Sequence, residues 1–384
     1  MKIPYGKQHI TEADKAAVLE TLDHDFLTQG PKIAEFEAAF ADYVKADYAS
    51  AVANGTAALH LCTVALGVTR NTNVITSPIT FSASANCVRY CGGTVWFADI
   101  DPKTGLLDLE AVRELIERKP AGFFSGIIPV DFAGMPVNME TFRELADEHG
   151  LWLIEDSCHA PGGFFKDSKG KKQHCGSGAY ADLAIFSFHP VKHIACGEGG
   201  MITTRRKDLF DKIQILRTDG ITRDPERLLD ESHGGWYYEM QDLGYNYRLS
   251  DIQASLGLSQ LQRADENLKK RHEIARRYAK AFEKTSIQPL TPYDKGNAYH
   301  LYVILTEKRK GLYDYLRENG IFAQVHYIPV HLMPYYEKHG FRQGDFPEAE
   351  RYYAQCLSLP MYPTLSKEEQ EYVIEKVMIW SKNA

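Results

Sequence analysis

The 384-residue sequence has no uninterrupted apolar stretch approaching membrane-spanning length, so no membrane helix is expected. It has no C-x-x-C pair. Its seven cysteines (Cys62, Cys87, Cys91, Cys158, Cys175, Cys196 and Cys356) are odd in number, which argues against a complete disulfide framework and for reduced thiols. No long run of one charge accompanies the formal net charge of -7, so there is no footprint for nucleic acid and a small-molecule site is favoured. Neither G-x-x-x-x-G-K-[ST] nor a strand-linked G-x-G-x-x-G occurs, which disfavours nucleotide hydrolysis and NAD-linked oxidation. The opening residues MKIPYGKQHITEADK turn polar at once and contain no apolar core of signal-peptide length, so a cytoplasmic protein is expected.

What is present is globular: 44% hydrophobic and 25% charged residues exclude a disordered or fibrous chain. The length suits one large domain and a smaller one. Short apolar runs read as strands at 48–53, 74–77, 95–98, 124–130, 152–154, 183–188 and 201–203. Amphipathic helical stretches near 57–66, 82–90, 109–118 and 139–149 separate most of them, the spacing of crossover units in a large, mostly parallel α/β sheet. Residues 250–283 read as almost continuously helical from a Ser-Asp cap, with strands at 300–305 and 323–327 and helices at 308–317, 348–355 and 367–380 beyond. The expected domains are 1–250, α/β with seven strands, and 251–384, a smaller α+β domain entered through the long helix.

The segment AIFSFHPVKHIACGEGGM runs from an apolar strand into a turn that carries Lys192 and then into a glycine cluster. An amine forms a Schiff base only when neutral, and a lysine beside apolar or cationic neighbours has the lowered pKa this requires; glycines let the backbone approach a flat group. The strand Trp152, Leu153, Ile154 delivers Glu155 and Asp156 to its carboxyl end, where open α/β sheets place ligands. An electron-sink cofactor needs its pyridine nitrogen protonated, and Asp156 is the carboxylate chosen for that role. Asn54-Gly55-Thr56 opens a helix directly after a strand, so its free N–H groups can receive a phosphate. Ser187 can add a hydrogen bond and Phe81 can stack on a ring. His189 and His193 flank Lys192 at metal-ligand spacing, but Pro190 breaks the helix such a pair needs and no third ligand is evident, so no metal is expected.

In order along the chain, NGTAALHL, ITFSASAN, IEDSCHAPGG, FSFHPVKHIACGEGG and GYNYRLSDIQASLG resemble the successive motifs of the DegT/DnrJ/EryC1/StrS sugar aminotransferases. The resemblance implies the fold-type I transferase architecture of aspartate aminotransferase and pyridoxal 5'-phosphate (PLP) as cofactor. It makes Lys192 the Schiff-base lysine and general acid/base, Asp156 the pyridinium partner and His159 a neighbour of the ring hydroxyl, with Phe81 on the ring. Gly55, Thr56 and Ser187 would hold the phosphate, and Asn246 would reach the phosphate site of the other subunit of a homodimer with shared active sites. Substrate contacts would come from an N-terminal arm with Tyr5, Phe26, Leu27 and Thr28, and from Gln324, Val325, His326 and Tyr327, beside Gly55, Ser187 and Asn246.

LTQG near residue 28, SPITFSASAN and AQVHYIPVH are most similar to members that aminate a UDP-linked 4-keto-6-deoxy-N-acetylhexosamine in pseudaminic acid biosynthesis, with L-glutamate as donor and ping-pong chemistry. Alternatives within the family are a 3- or 4-keto sugar on another nucleotide such as dTDP, or a 3-dehydratase, which carries histidine where Lys192 stands. Outside it is a non-catalytic dimeric sugar-nucleotide sensor. Ala195 and Cys196 replace the usual Thr-Thr before Gly197-Glu198-Gly199-Gly200, which removes two hydroxyls. The lysine-rich run between Phe164 and Cys175 reads as a solvated hairpin.

Overall fold

All seven apolar runs become strands of one sheet in the computed structural model, which describes residues 2–383. Their spatial order is Tyr48–Val52, Gly200–Thr204, Leu183–Ser187, Trp152–Asp156, Gly126–Ile128, Asn73–Thr76 and Thr94–Phe97. Gly200–Thr204 runs antiparallel to both neighbours, and every other pairing is parallel. Successive residues feed opposite cores. Val74, Ile128 and Ile154 pack with Leu59, Cys62, Val88 and Ile213 on one face, and Ile75, Ile127 and Leu153 with Val112, Ile116, Phe142 and Leu145 on the other. Burial on both faces is why these strands read as unbroken apolar runs. Gly126 lies where a Cβ would stand 2.2 Å from the Trp152 ring, so the sheet closes there only around a glycine.

The helices Gly55–Ala65, Ala83–Tyr90, Leu109–Glu117 and Met139–His149 fall where the sequence puts them. The stretch 250–283, by contrast, is two helices. Asp251–Leu261 packs against Glu12–Leu22 and Pro31–Val44, whereas Ala264–Phe282 gives Ile274, Ala275, Tyr278 and Phe282 to the C-terminal core. Between them Arg263 leaves helical backbone (φ -108°, ψ 8°), and its guanidinium meets the buried Asp14 at 2.5 Å. Asp14 also accepts from Thr11 N, Ser259 Oγ and Gln260 Nε2, which ties the N-terminal helix down.

Beyond residue 282 a three-stranded antiparallel sheet forms from Gln288–Pro289, Tyr302–Leu305 and Cys356–Leu359, with Arg309–Glu318 and Lys367–Asn383 among the helices that cover it. Ile3–Pro4 pairs in parallel with Ile321–Phe322, which carries the neighbouring Tyr5 to this body. The strand expected at 323–327 does not form. Gln324 makes one bridge to Ser358, and the Tyr352 hydroxyl takes the His326 carbonyl at 2.6 Å, so no ladder continues past Phe322. The lysine-rich run is an antiparallel hairpin, Phe164–Lys166 with Lys172–His174, its four lysines exposed. No helix among the described residues is long and apolar enough to cross a membrane.

Candidate active site

The carboxyl ends of three adjacent segments open on one cavity of about 450 Å³. Trp152–Asp156 supplies Asp156, Leu183–Ser187 supplies Ser187, and the turn beyond it supplies Lys192, whose N–H donates to the His189 carbonyl at 2.8 Å. The helix Gly55–Ala65 points its N-terminus at the same space. Asn54 caps it by accepting from Ala57 N at 2.8 Å, which leaves Gly55 and Thr56 on the cavity wall. Gly200 makes this possible, because a Cβ there would lie 2.5 Å from the Asn54 carbonyl atoms. The loop after Asn73–Thr76 adds Thr80 and Phe81, the first turn of the helix Ala83–Tyr90 adds Ser84, and the C-terminal body adds His300, His326 and Tyr327.

Asp156 is held by both oxygens: Oδ2 accepts from Ser84 Oγ at 2.7 Å and Oδ1 from Cys158 N at 3.2 Å. Ser84 is in turn 2.8 Å from the Thr80 hydroxyl, so a chain of hydroxyls fixes the carboxylate. Lys192 Nζ has no hydrogen bond or ion pair with any described residue. Burial lowers its pKa, and the neighbouring Cys158 and Asp156 partly restore it.

Four imidazoles surround the amine. Burial, then Lys192 and neighbouring histidines, push His159 far below the usual histidine range; burial, then His159 and Lys192, do so for His300; burial, then Arg271 and Lys192, for His193; and burial with Lys192 takes His326 down to about 3. The His159 ring centroid lies 4.4 Å from that of His300, the two planes tilted by 38°. Its Nδ1 accepts from Ala133 N at 3.2 Å, so the neutral ring carries its proton on Nε2 and donates it to the Tyr327 hydroxyl at 3.2 Å. Phe81 lines the cavity yet is 59% exposed, an aromatic face with little protein packed on it.

Of the residues singled out in the sequence, Tyr5, Gly55, Thr56, Phe81, Asp156, His159, Ser187, Lys192, His326 and Tyr327 meet in this cavity. A single chain does not bring Phe26, Leu27, Thr28, Asn246, Gln324 or Val325 there. Thr28 bridges to Ser250, and the Leu27 carbonyl accepts from Asp251 N, which holds Phe26, Leu27 and Thr28 against the start of another helix. Asn246 is exposed and bridged to Thr218. Gln324 is also exposed and paired with Ser358, while Val325 packs into the C-terminal core. The sequence reading passed over Ser84, Thr80 and His300. The first two had a usable signal, hydroxyls four residues apart at a helix start that follows a sheet strand. His300 had none, since only tertiary packing brings it beside His159.

Residues 8–378 match the DegT/DnrJ/EryC1/StrS aminotransferase family. The chain is 39% identical to the spore coat polysaccharide biosynthesis protein SpsC of Bacillus subtilis, over 98% of this chain and 96% of that protein. It is 36% identical to the UDP-4-amino-4,6-dideoxy-N-acetyl-beta-L-altrosamine transaminase of Campylobacter jejuni, over 97% and 95%. The solved aminotransferase PseC of Helicobacter pylori, involved in the biosynthesis of pseudoaminic acid, superposes with a TM-score of 0.90 at 31% identity and full coverage of both chains. Other solved sugar aminotransferases of the same fold include a PLP form. The non-catalytic reading therefore falls: the chain belongs to the DegT/DnrJ/EryC1/StrS family and is a PLP-dependent sugar aminotransferase.

Proposed function

We propose that the cavity holds PLP through Lys192 and Asp156 and aminates a UDP-linked 4-keto-6-deoxy-N-acetylhexosamine, with L-glutamate as donor. The observation that carries the site assignment is the unpartnered Lys192 amine in the same cavity as a carboxylate fixed by Ser84 and Cys158. The surrounding residues fit the cofactor. The amides of Gly55 and Thr56 have no protein acceptor among the described residues and sit at a helix N-terminus, the place for a phosphate, with the Thr56 and Ser187 hydroxyls beside them. Phe81 would cover the ring, Asp156 would face its nitrogen and His159 its hydroxyl.

When bound, the cofactor supplies the carbonyl that takes up an amino group and the conjugated ring that delocalises the electrons released beside it. Lys192 Nζ, less basic through burial, is the nucleophile; once free it removes a proton from the carbon bearing the amine and returns one in the second half-reaction. Asp156 balances the positive charge of a protonated pyridine nitrogen, and Ser84 and Cys158 N hold it in place. Among the described residues on the wall Lys192 is the one amine, and the imidazoles of His159, His300 and His326 beside it are neutral.

That the aminated sugar serves pseudaminic acid or a related surface glycan rests on the likeness to the altrosamine transaminase. A homodimer with shared sites is supported by the exposed Phe26 (56%), Leu27 (45%), Trp236 (76%) and Leu243 (72%), the last near Asn246, which would reach the partner's phosphate site. Tyr5, Phe26, Leu27, Thr28, Gln324, Val325, His326 and Tyr327 are the proposed substrate contacts. Free thiols at all seven cysteines suit a cytoplasmic enzyme. The test is glutamate-dependent amination across UDP- and dTDP-linked 4-keto sugars. UDP sugars should be aminated; turnover of dTDP sugars alone would overturn the substrate reading and leave the family intact.

A further inference from the structure

Successive side chains of a strand point to opposite faces, so Glu155 leaves the cavity that Asp156 enters. It enters a sealed space occupied by Asp131 and Cys175, where one ligand atom from each of the three lies within 4.8 Å of the others. Asp131 is 0% and Glu155 4% exposed, and neither makes an ion pair with any described residue. Two carboxyl groups this close, with no cationic side chain paired to them among the described residues, cannot both ionise. The hydrogen bonds show where the charge rests. Asp131 accepts twice, at Oδ1 from Val137 N and at Oδ2 from Ser157 Oγ, both at 2.8 Å, whereas Glu155 accepts from Gly176 N alone at 3.0 Å.

Asp131 also anchors the turn 131–134, through which three site residues are placed. Asp131 N donates to the Asp156 carbonyl at 3.0 Å, and Ala133 N donates to His159 Nδ1. The carbonyls of Ala133 and Gly134 accept from Leu301 N and Ala298 N, on either side of His300. We propose that Glu155 and Asp131 share one proton, and that this acid–carboxylate pair is a positioning device holding Asp156, His159 and His300 around the cofactor. The link to the cofactor rests on the Proposed function; the shared proton does not.

Burial, and then the Asp131 charge, push Glu155 well above the ordinary carboxyl range, which assigns it the proton. The other titratable groups facing the pair are the thiols of Cys175 and Cys158. Burial and then neighbouring carboxylates raise both, so neither competes for the role of anion.

The sign of the pH effect follows. A carboxyl whose pKa is raised on folding contributes stability at low pH that is lost as pH rises from its unfolded value of 4.5 towards its folded one. E155Q puts an amide N–H where the protonated carboxyl offers its O–H to Asp131, and it cannot ionise. The thermal midpoint of E155Q should therefore gain on the wild type by a few degrees as pH rises above 4.5. D131N removes the second cause and leaves Glu155 buried, so it should weaken the same pH dependence without abolishing it. Asp131→Ala, which strips the acceptor from Val137 N and Ser157, should raise the Kd for PLP by about tenfold or more. The wild-type pH dependence persisting in both amide variants would refute the shared proton, as would E155Q being less stable at every pH. Loss of stability on EDTA treatment, restored by zinc, would show a metal site instead. Unchanged PLP affinity in Asp131→Ala would refute the positioning role alone.

Discussion

Ser84→Ala tests how Asp156 is held. The Ser84 hydroxyl donates to Asp156 Oδ2 at 2.7 Å, buried and directed at an acid, while the other oxygen retains its 3.2 Å contact with Cys158 N. Hydrogen bonds to charged groups contribute about 1.5–3 kcal/mol, more than the ~1 kcal/mol of a neutral one. If the bond serves to aim the carboxylate at the cofactor, its loss should weaken PLP binding by about 10- to 150-fold. The assay is absorbance titration of apoprotein with PLP. Thr80→Val is the control: it breaks the 2.8 Å link to Ser84 but leaves Ser84 on Asp156, and should cost about 1 kcal/mol or less. Ser84→Ala binding PLP within about twofold of wild type would refute the reasoning, since such a small change is below one hydrogen bond.

Gly200→Ala places a Cβ 2.5 Å from the Asn54 carbonyl, so overpacking of about 1–3 kcal/mol should lower the thermal midpoint and release cofactor by displacing the helix start. Asp14→Ala leaves Arg263 without its buried partner and should cost about 3–5 kcal/mol in urea unfolding. Burial alone would raise the Asp14 pKa, but hydrogen bonds from Ser259, Thr11 N and Arg263 hold it below 3.8. The stability it contributes is therefore present above that pH and lost below it, and hydrogen exchange should show residues 12–22 loosening first in acid. Because burial lowers the Lys192 pKa while Asp156 raises it, the rate of PLP uptake by apoprotein should climb with pH and level off below 10.5. Asp156→Asn should move that plateau to lower pH in stopped-flow measurements.

The sheet was readable because strands buried on both faces, such as Leu183–Ser187, leave unbroken apolar runs. The reversed direction of Gly200–Thr204 was not, since direction depends on which neighbour a strand meets rather than on its own residues. The break at Gln262–Arg263 was hidden for a similar reason: helix-favouring residues continue through it, and Asp14, some 250 residues away, draws Arg263 out. In the site, Lys192 and Asp156 were legible because each follows directly on an apolar strand, and strand ends are where an open sheet binds ligands. His300 and the Asp131–Glu155 pair were not, because their surroundings come from segments far apart in sequence. Phe26 and Asn246 were named from resemblance, and they lie on the surface of a single chain.

The central claim is that the amine at position 192 is the one that carries the cofactor. Borohydride reduction of the PLP-loaded protein, followed by proteolysis and mass spectrometry, reads this directly. A pyridoxyl group should appear on the peptide containing Lys192 and be absent from Lys192→Ala treated in the same way. A label on another lysine, or equal labelling of the variant, would contradict the account.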